Sequence, residues 1–197
     1  MDLIRQAFWL EWITVAWMLI EAAVAIVAGV RANSISLLAF GIDSIIELAS
    51  AAVLIWRLTV ELRQGQAFSE EVENTARRIA AALLFALVVY VVASAVWKLW
   101  THEGQEFSVV GVIITGAAIP IMYFLARRKI AVADKLGSRA MRADAVESIA
   151  CGWLATIVAV GLLIQLAIGA WWVDSVASLG IVGYLVKEGR EAWSGQE

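Results

Sequence analysis

Apolar residues run in six long stretches separated by short charged clusters, near positions 7–30, 36–62, 75–100, 107–127, 142–168 and 171–187. A helix crosses a bilayer core of about 30 Å with about 17 to 25 such residues, and every stretch reaches that length. Continuous apolarity, without the residue-by-residue alternation of an outer-membrane barrel strand, selects helices over strands. The pattern predicts an all-α, polytopic membrane protein of six transmembrane helices, with residues 1–197 forming a single transmembrane domain. The first stretch is too long for a signal-peptide core and carries no small-residue cleavage site, so it reads as a retained span. Pro120 predicts a kink in the fourth helix, since proline removes a backbone donor and crowds the preceding turn. Two longer connections are expected, Glu61 to Asn74 with the acidic cluster Glu70, Glu71 and Glu73, and Arg127 to Arg142 with Lys135, Arg139 and the turn residue Gly137.

Composition strengthens this reading. Of 197 residues 62% are hydrophobic, against about 45–50% in soluble domains, which leaves no room for a separate soluble domain. One proline and 14 glycines exclude collagen-like and disordered classes. The single cysteine, Cys151, excludes an intrachain disulfide and any CxxC motif.

The net charge of −3 says little, but the placement of the 15 basic residues is informative. With the amino terminus inside, 13 lie on the cytoplasmic side (Arg5, Arg57, Arg63, Arg77, Arg78, Arg127, Arg128, Lys129, Lys135, Arg139, Arg142, Lys187, Arg190) and two outside (Arg31, Lys98). That asymmetry predicts both termini in the cytoplasm. Trp9, Trp56, Trp97, Trp100, Trp171, Trp172 and Trp193 fall near span ends, where an indole has one apolar and one wet side. The expected location is the bacterial inner membrane, as a multi-pass protein.

Five carboxylates interrupt the apolar stretches: Glu11, Glu21, Asp43, Glu47 and Glu147. An ionisable group held in hydrocarbon costs several kcal/mol, so each points to a function by default. Glu11 is close enough to the cytoplasmic interface to snorkel out. Asp43 and Glu47, and likewise Glu147 and Cys151, are four residues apart, so each pair shares one helix face. Because the second and fifth spans run in opposite directions, depth counting at 1.5 Å per residue brings Asp43 level with Cys151 and Glu47 level with Glu147, near the midplane. No Lys or Arg is expected at that depth, so the missing positive charge is a metal ion or protons.

A set of Asp, Glu, Glu and Cys suits a tetrahedral divalent ion, with the thiolate favouring zinc or cadmium and with manganese and ferrous iron open. The alternative is interhelical hydrogen bonding with Cys151 as a small buried apolar group. Glu21 is a secondary candidate as accessory ligand or proton carrier, and Asp144 a secondary candidate near the cytoplasmic mouth, equally able to pair with Arg142 or Arg139. No organic cofactor is expected. Asp174 and Asn33 are expected to cap the sixth and second helices, Gly111, Gly116, Gly180 and Gly183 to pack helices, and His102 to lie in a solvated loop.

Ala39, Ile42, Asp43, Ser44, Ile45 and Glu47 correspond to Ala143, Val146, Glu147, Ser148, Ile149 and Cys151 at a constant offset, in spans of opposite direction. Inverted repeats of this kind are common in secondary transporters, with the site between the repeats. The stretches SISLLAFGIDSIIE (34–47) and KLGSRAMRADAVESIAC (135–151) resemble the second and fifth spans of the cation diffusion facilitator family. In that family the second span carries Asp or His and then Asp four residues on, and the fifth carries His and Asp at the same spacing, together binding one transported divalent cation. Asp43, Glu47, Glu147 and Cys151 stand at those positions.

The resemblance implies six helices, both termini cytoplasmic, and proton-coupled export of zinc or a similar ion by alternating access. It also raises a homodimer, although the cytoplasmic C-terminal domain that helps the family dimerise is absent from the pattern. Two further departures are the loss of His and Asp from the fifth-span pair and the replacement of the Gly-His-rich loop by RQGQAFSEEVEN. The expected partners are the lipid bilayer, a divalent cation and protons, with no nucleic acid, because the basic residues follow topology and do not form a patch. An enzyme is excluded by the lack of a histidine in the membrane and of any Ser or Cys paired with a base. The alternative function is a non-transporting membrane metal sensor or partner-docking protein.

Overall fold

The computed structural model describes residues 3–64, 70–136 and 139–194. All regular structure among them is helical: α1 (Leu3–Ala32), α2 (Ile35–Gln64), α3 (Glu70–Thr101), α4 (Val109–Leu136), α5 (Arg139–Ile168) and α6 (Val173–Ser194). In hydrocarbon no water is available for the backbone, so a continuous helix that bonds its own amides and carbonyls is the form such apolar runs must take. Among the described residues, five helices carry an apolar segment long enough to cross a membrane: Arg5–Ala32, Ile35–Val53, Ala81–Thr101, Val109–Leu136 and Asp144–Ile168. The sixth, with 22 residues, is about 33 Å long at 1.5 Å per residue and lies in the same bundle against α3, α5 and α2.

Most of the expected connection 127–142 is instead helix, because α4 continues through Pro120 to Leu136 and α5 starts at Arg139. The other connection shrinks in the same way, α2 reaching Gln64 and α3 starting at Glu70. Gly137 and residues 65–69 lie outside the described residues, as do the side chains of Glu70, Glu71, Glu73 and Arg139. Pro120 borders a groove of about 440 Å³ between α4 and α5, whose walls include Ile149, Gly152 and Trp153 but not Cys151.

Helix ends are set by local chemistry. Asn33 (φ 52°) and His102 (φ 59°) take the left-handed conformation just past α1 and α3, and Ser34 N–H and Glu103 N–H then donate back to the carbonyls of Gly29 and Lys98 at 2.9 and 3.1 Å. Gly169 (φ 62°) ends α5 in the same region, its N–H donating to Gln165. These bonds satisfy carbonyls that the helix leaves free.

α1 pairs tightly with α2, α4 with α5, and α3 with α6, while α1 against α4 and α2 against α5 join the two hairpins into a four-helix core. The close α1–α2 approach depends on glycine: a Cβ on Gly29 would lie 2.9 Å from the backbone nitrogen of Leu38, and one on Gly41 3.0 Å from that of Ile26. Gly111 packs similarly against Leu37 and Leu162, but Gly116, Gly180 and Gly183 face open space, contrary to expectation. Composition alone does not say which glycines a helix turns inward.

Candidate cation site

One end of the bundle gathers the α1–α2, α3–α4 and α5–α6 connections, and a polar network seals it. The Asp174 carboxylate accepts from Ile35 N–H (2.7 Å), Ser36 N–H (3.2 Å), Ser34 Oγ (2.8 Å) and Ser36 Oγ (2.6 Å). Asp174 therefore caps α2 from across the fold instead of α6, and Ser34, accepting from Leu37 N–H at 3.2 Å, is the local cap in place of Asn33. Lys98 is buried, donates to the Asn33 carbonyl, and stands 3.9 Å from Asp174. Its charge is thus committed inside the bundle. His102 is exposed, with its ring 4.6 Å from that of Trp171.

From this end the depth of each acidic group follows at about 1.5 Å per residue. Ser44 lies about 13 Å down α2 from the Asp174 contact, and Ser44 Oγ donates to Glu21 Oε1 at 2.7 Å. The Cys151 thiol donates to that same oxygen at 3.4 Å, and Trp17 Nε1 donates to Glu21 Oε2 at 2.7 Å. Glu21 is fully buried, so one α1 carboxylate ties together α1, α2 and α5 at the level of Cys151. The repeated serines share a local geometry as well, Ser44 donating to the Phe40 carbonyl and Ser148 to that of Asp144.

Around this junction lie the sequence-derived candidates. Asp43 is 2% exposed and Glu47 7%, while Cys151 is fully buried and Glu147 half-buried. Asp43 Oδ2 and both carboxylate oxygens of Glu47 have no hydrogen-bond partner. Glu47 is within electrostatic reach of Asp43, Glu147 and Glu21, and Cys151 within reach of Glu47 and Asp43. In this conformation no three His, Cys, Asp or Glu side chains among the described residues converge closely enough to hold one ion.

About two to three turns nearer the chain termini than the Glu21–Cys151 junction lies a second charged layer. Lys129 of α4 and Glu11 of α1 are both 0% exposed, with Nζ 3.3 Å from Glu11 Oε2. Lys129 also pairs with Asp144 of α5. Glu11 therefore does not snorkel to the interface, and Asp144 pairs with Lys129 while Arg142 bonds exposed Asp134 at 2.8 Å; the side chain of Arg139 lies outside the described residues. A buried cation also stands closer to the cluster than expected, with both of its partners already supplied. The reason is that α4 stays helical past residue 127, which carries Lys129 into the bundle.

The sequence reading missed Glu188. Ile181 and Leu185 are fully buried in the core shared with Cys151, and Glu188 continues that face one turn on. It is within electrostatic reach of Asp43, Glu47 and Glu147. The i, i+4, i+7 spacing of 181, 185 and 188 was the available signal, obscured because the apolar stretch ends at 187.

Buried carboxylates and a thiol thus lie on the antiparallel helices α2 and α5, between the Lys98–Asp174 pair at one end and the Lys129–Glu11–Asp144 group toward the other. No curated protein matches the chain. Residues 12–194 match the family described as the cation efflux transmembrane domain, whose members move divalent metal cations across membranes. With nearly the whole chain covered, the protein belongs to the cation efflux transmembrane-domain family.

Proposed function

We propose that this membrane cation transporter exports zinc or a zinc-like divalent ion in exchange for protons, with Asp43, Glu47, Glu147 and Cys151 as the ligands. Support comes from one observation above all: Asp43 and Glu47 are almost entirely buried with three carboxylate oxygens unpartnered. A polar group so placed costs free energy until a proton or a cation satisfies it. The thiol weights the choice toward zinc or cadmium, with manganese and ferrous iron as the harder alternatives.

Cation binding displaces protons from these groups, so affinity rises with pH. Release on the other side reloads the protons. Alternating access is read as opening either the Lys98–Asp174 layer or the Lys129–Glu11–Asp144 layer while the other stays shut. The charge asymmetry along the chain supports placing both termini in the cytoplasm of a bacterial inner membrane.

The test is a flux panel in sealed proteoliposomes with an imposed pH gradient, comparing zinc, cadmium, manganese and ferrous iron. Zinc movement that collapses with the gradient, and its loss in Asp43→Ala, are expected. Normal zinc flux in Asp43→Ala overturns the ligand assignment, and binding without flux replaces transport by a sensing role.

A further inference from the structure

α4 starts at Val109, at the end of the bundle sealed by Asp174. Arg127 and Arg128 stand about 27 Å along it, where a hydrocarbon core of about 30 Å gives way to headgroups. Just inside them runs the groove of about 440 Å³ between α4 and α5. It extends about 10 Å, from Arg127 back to Pro120 on one wall and from Ile149 to Thr156 on the other. The walls face the bilayer, with Tyr123 and Trp153 each 61% exposed and Ile149 38%.

The mouth of the groove carries positive charge with no anion against it. Arg127 lines the groove, its guanidinium 5.6 Å from the centre of the Tyr123 ring, and Nη1 donates to the Tyr123 hydroxyl at 3.4 Å. Arg128, the next residue round the helix, lies over Phe124 at 5.1 Å. A guanidinium has five N–H donors, so these contacts leave most of them for a ligand. Asp134, two turns on along α4, is bonded to Arg142 at 2.8 Å. Among the described residues neither Arg127 nor Arg128 has a carboxylate within ion-pair distance. A groove of about 510 Å³ between α1 and the start of α4 differs in this respect, since Arg31 and Glu106 both border it and their charges cancel.

We infer that the α4–α5 groove binds one anionic glycerophospholipid, with its phosphodiester on Arg127 and Arg128 and one acyl chain laid along Pro120, Ile149 and Trp153. Arginine suits the role, because its planar fork meets two phosphate oxygens at once. Stacking on Tyr123 and Phe124 holds both guanidinium groups in place beforehand, which lowers the ordering cost of binding. Charge at the rim and an apolar slot between membrane helices together select an acidic headgroup. Gly152 forms part of the wall and follows Cys151 in the chain, so the seated acyl chain packs against the turn of α5 that carries the thiol.

The experiment titrates purified full-length protein in a neutral detergent with phosphatidylglycerol and, separately, phosphatidylcholine, counting retained lipids by native mass spectrometry. One phosphatidylglycerol should be retained, about tenfold or more tighter than phosphatidylcholine, whose choline offsets the phosphate. Arg127→Gln with Arg128→Gln should weaken it by about tenfold or more, the scale of a lost charged hydrogen bond. Ile149→Trp and, at the other end of the slot, Thr156→Leu should also weaken it, although every charge remains. Lys187→Gln, which removes an exposed cation of α6 at the same end of the bundle, should behave as the parent. Phosphatidylglycerol with brominated chains should quench tryptophan fluorescence saturably, and Trp153→Phe should remove that saturable part.

Equal retention of the two lipids overturns the inference, as does retention unchanged in the double arginine variant. Loss in Lys187→Gln as large as in the arginine variant, with both slot-filling variants unaffected, replaces a site by diffuse surface attraction. Competition by inorganic phosphate alone removes the acyl chain from the account. A dimer that forms only without lipid and is lost in Ile149→Trp assigns the groove to a second copy of the chain.

Discussion

At the scale of single residues, the bundle separates two kinds of buried charge. Lys129 is ion-paired with Glu11 and Asp144, although Glu11 Oε1 has no hydrogen-bond partner, while Asp43 Oδ2 and both oxygens of Glu47 are unpartnered. Lys129→Met leaves two buried carboxylates without a cation and should cost ~3–5 kcal/mol, seen as a lower melting temperature in detergent. Adding Glu11→Gln and Asp144→Asn should restore much of the loss, because the cost is that of an uncompensated charge. Cys151→Ser tests the other kind. The thiol meets Glu21 and lies within reach of Asp43 and Glu47, and a hydroxyl is a poorer ligand for soft ions. Proteoliposomes with Cys151→Ser should lose cadmium flux far more than manganese flux. Equal loss of both would remove the thiol from the ligand set.

At the scale of elements, contact between helices, and not helix formation, is the discriminating quantity. Gly29 and Gly41 let α1 and α2 pack backbone to backbone, which sets the register that brings Glu21 against Ser44. Gly29→Ala should destabilise by ~1–3 kcal/mol through overpacking. Gly183→Ala, with nothing near its added methyl, should be neutral or stabilising by up to ~1 kcal/mol from helix propensity. Thermal unfolding of the two variants side by side checks the contrast. Asp174 acts between elements in the same sense. Asp174→Ala removes four bonds to the start of α2 and should cost at least the ~1–2 kcal/mol of a lost helix cap.

For the whole molecule, the question is how six helices present one cation path to two sides of a membrane. The α1–α2, α3–α4 and α5–α6 connections gather at one end, so both termini share the other. With those termini in the cytoplasm, a cysteine placed at exposed Lys187 in a Cys151→Ser background should react with an impermeant maleimide in inverted membrane vesicles and not in intact cells. The reverse pattern would invert the proposed direction of export. The α1–α2 hairpin pairs with α4–α5, which sets residues 39–47 and 143–151 on the contacting helices α2 and α5.

The apolar runs by themselves determined the class, the number of helices and the carboxylate candidates, because a bilayer imposes one length and one hydrogen-bonding solution on every span and makes each exception conspicuous, while Cys151 entered by its spacing from Glu147. Element ends, the inward glycines and the partners of Glu11, Asp144 and Asp174 were not legible, because each depends on which neighbour a helix face meets. Lys129 shows the reason most directly: along the chain it belongs to a basic border cluster, and only the extension of α4 into the bundle turns it into the counter-ion of Glu11 and Asp144. Glu188 is the same case in the opposite sense, a residue beyond the last apolar stretch that packing brings within electrostatic reach of Glu47 and Glu147. Spacing along one helix assigns residues to a common face. Only the arrangement of helices decides what that face confronts, since burial, pairing and repulsion arise between elements and not within them.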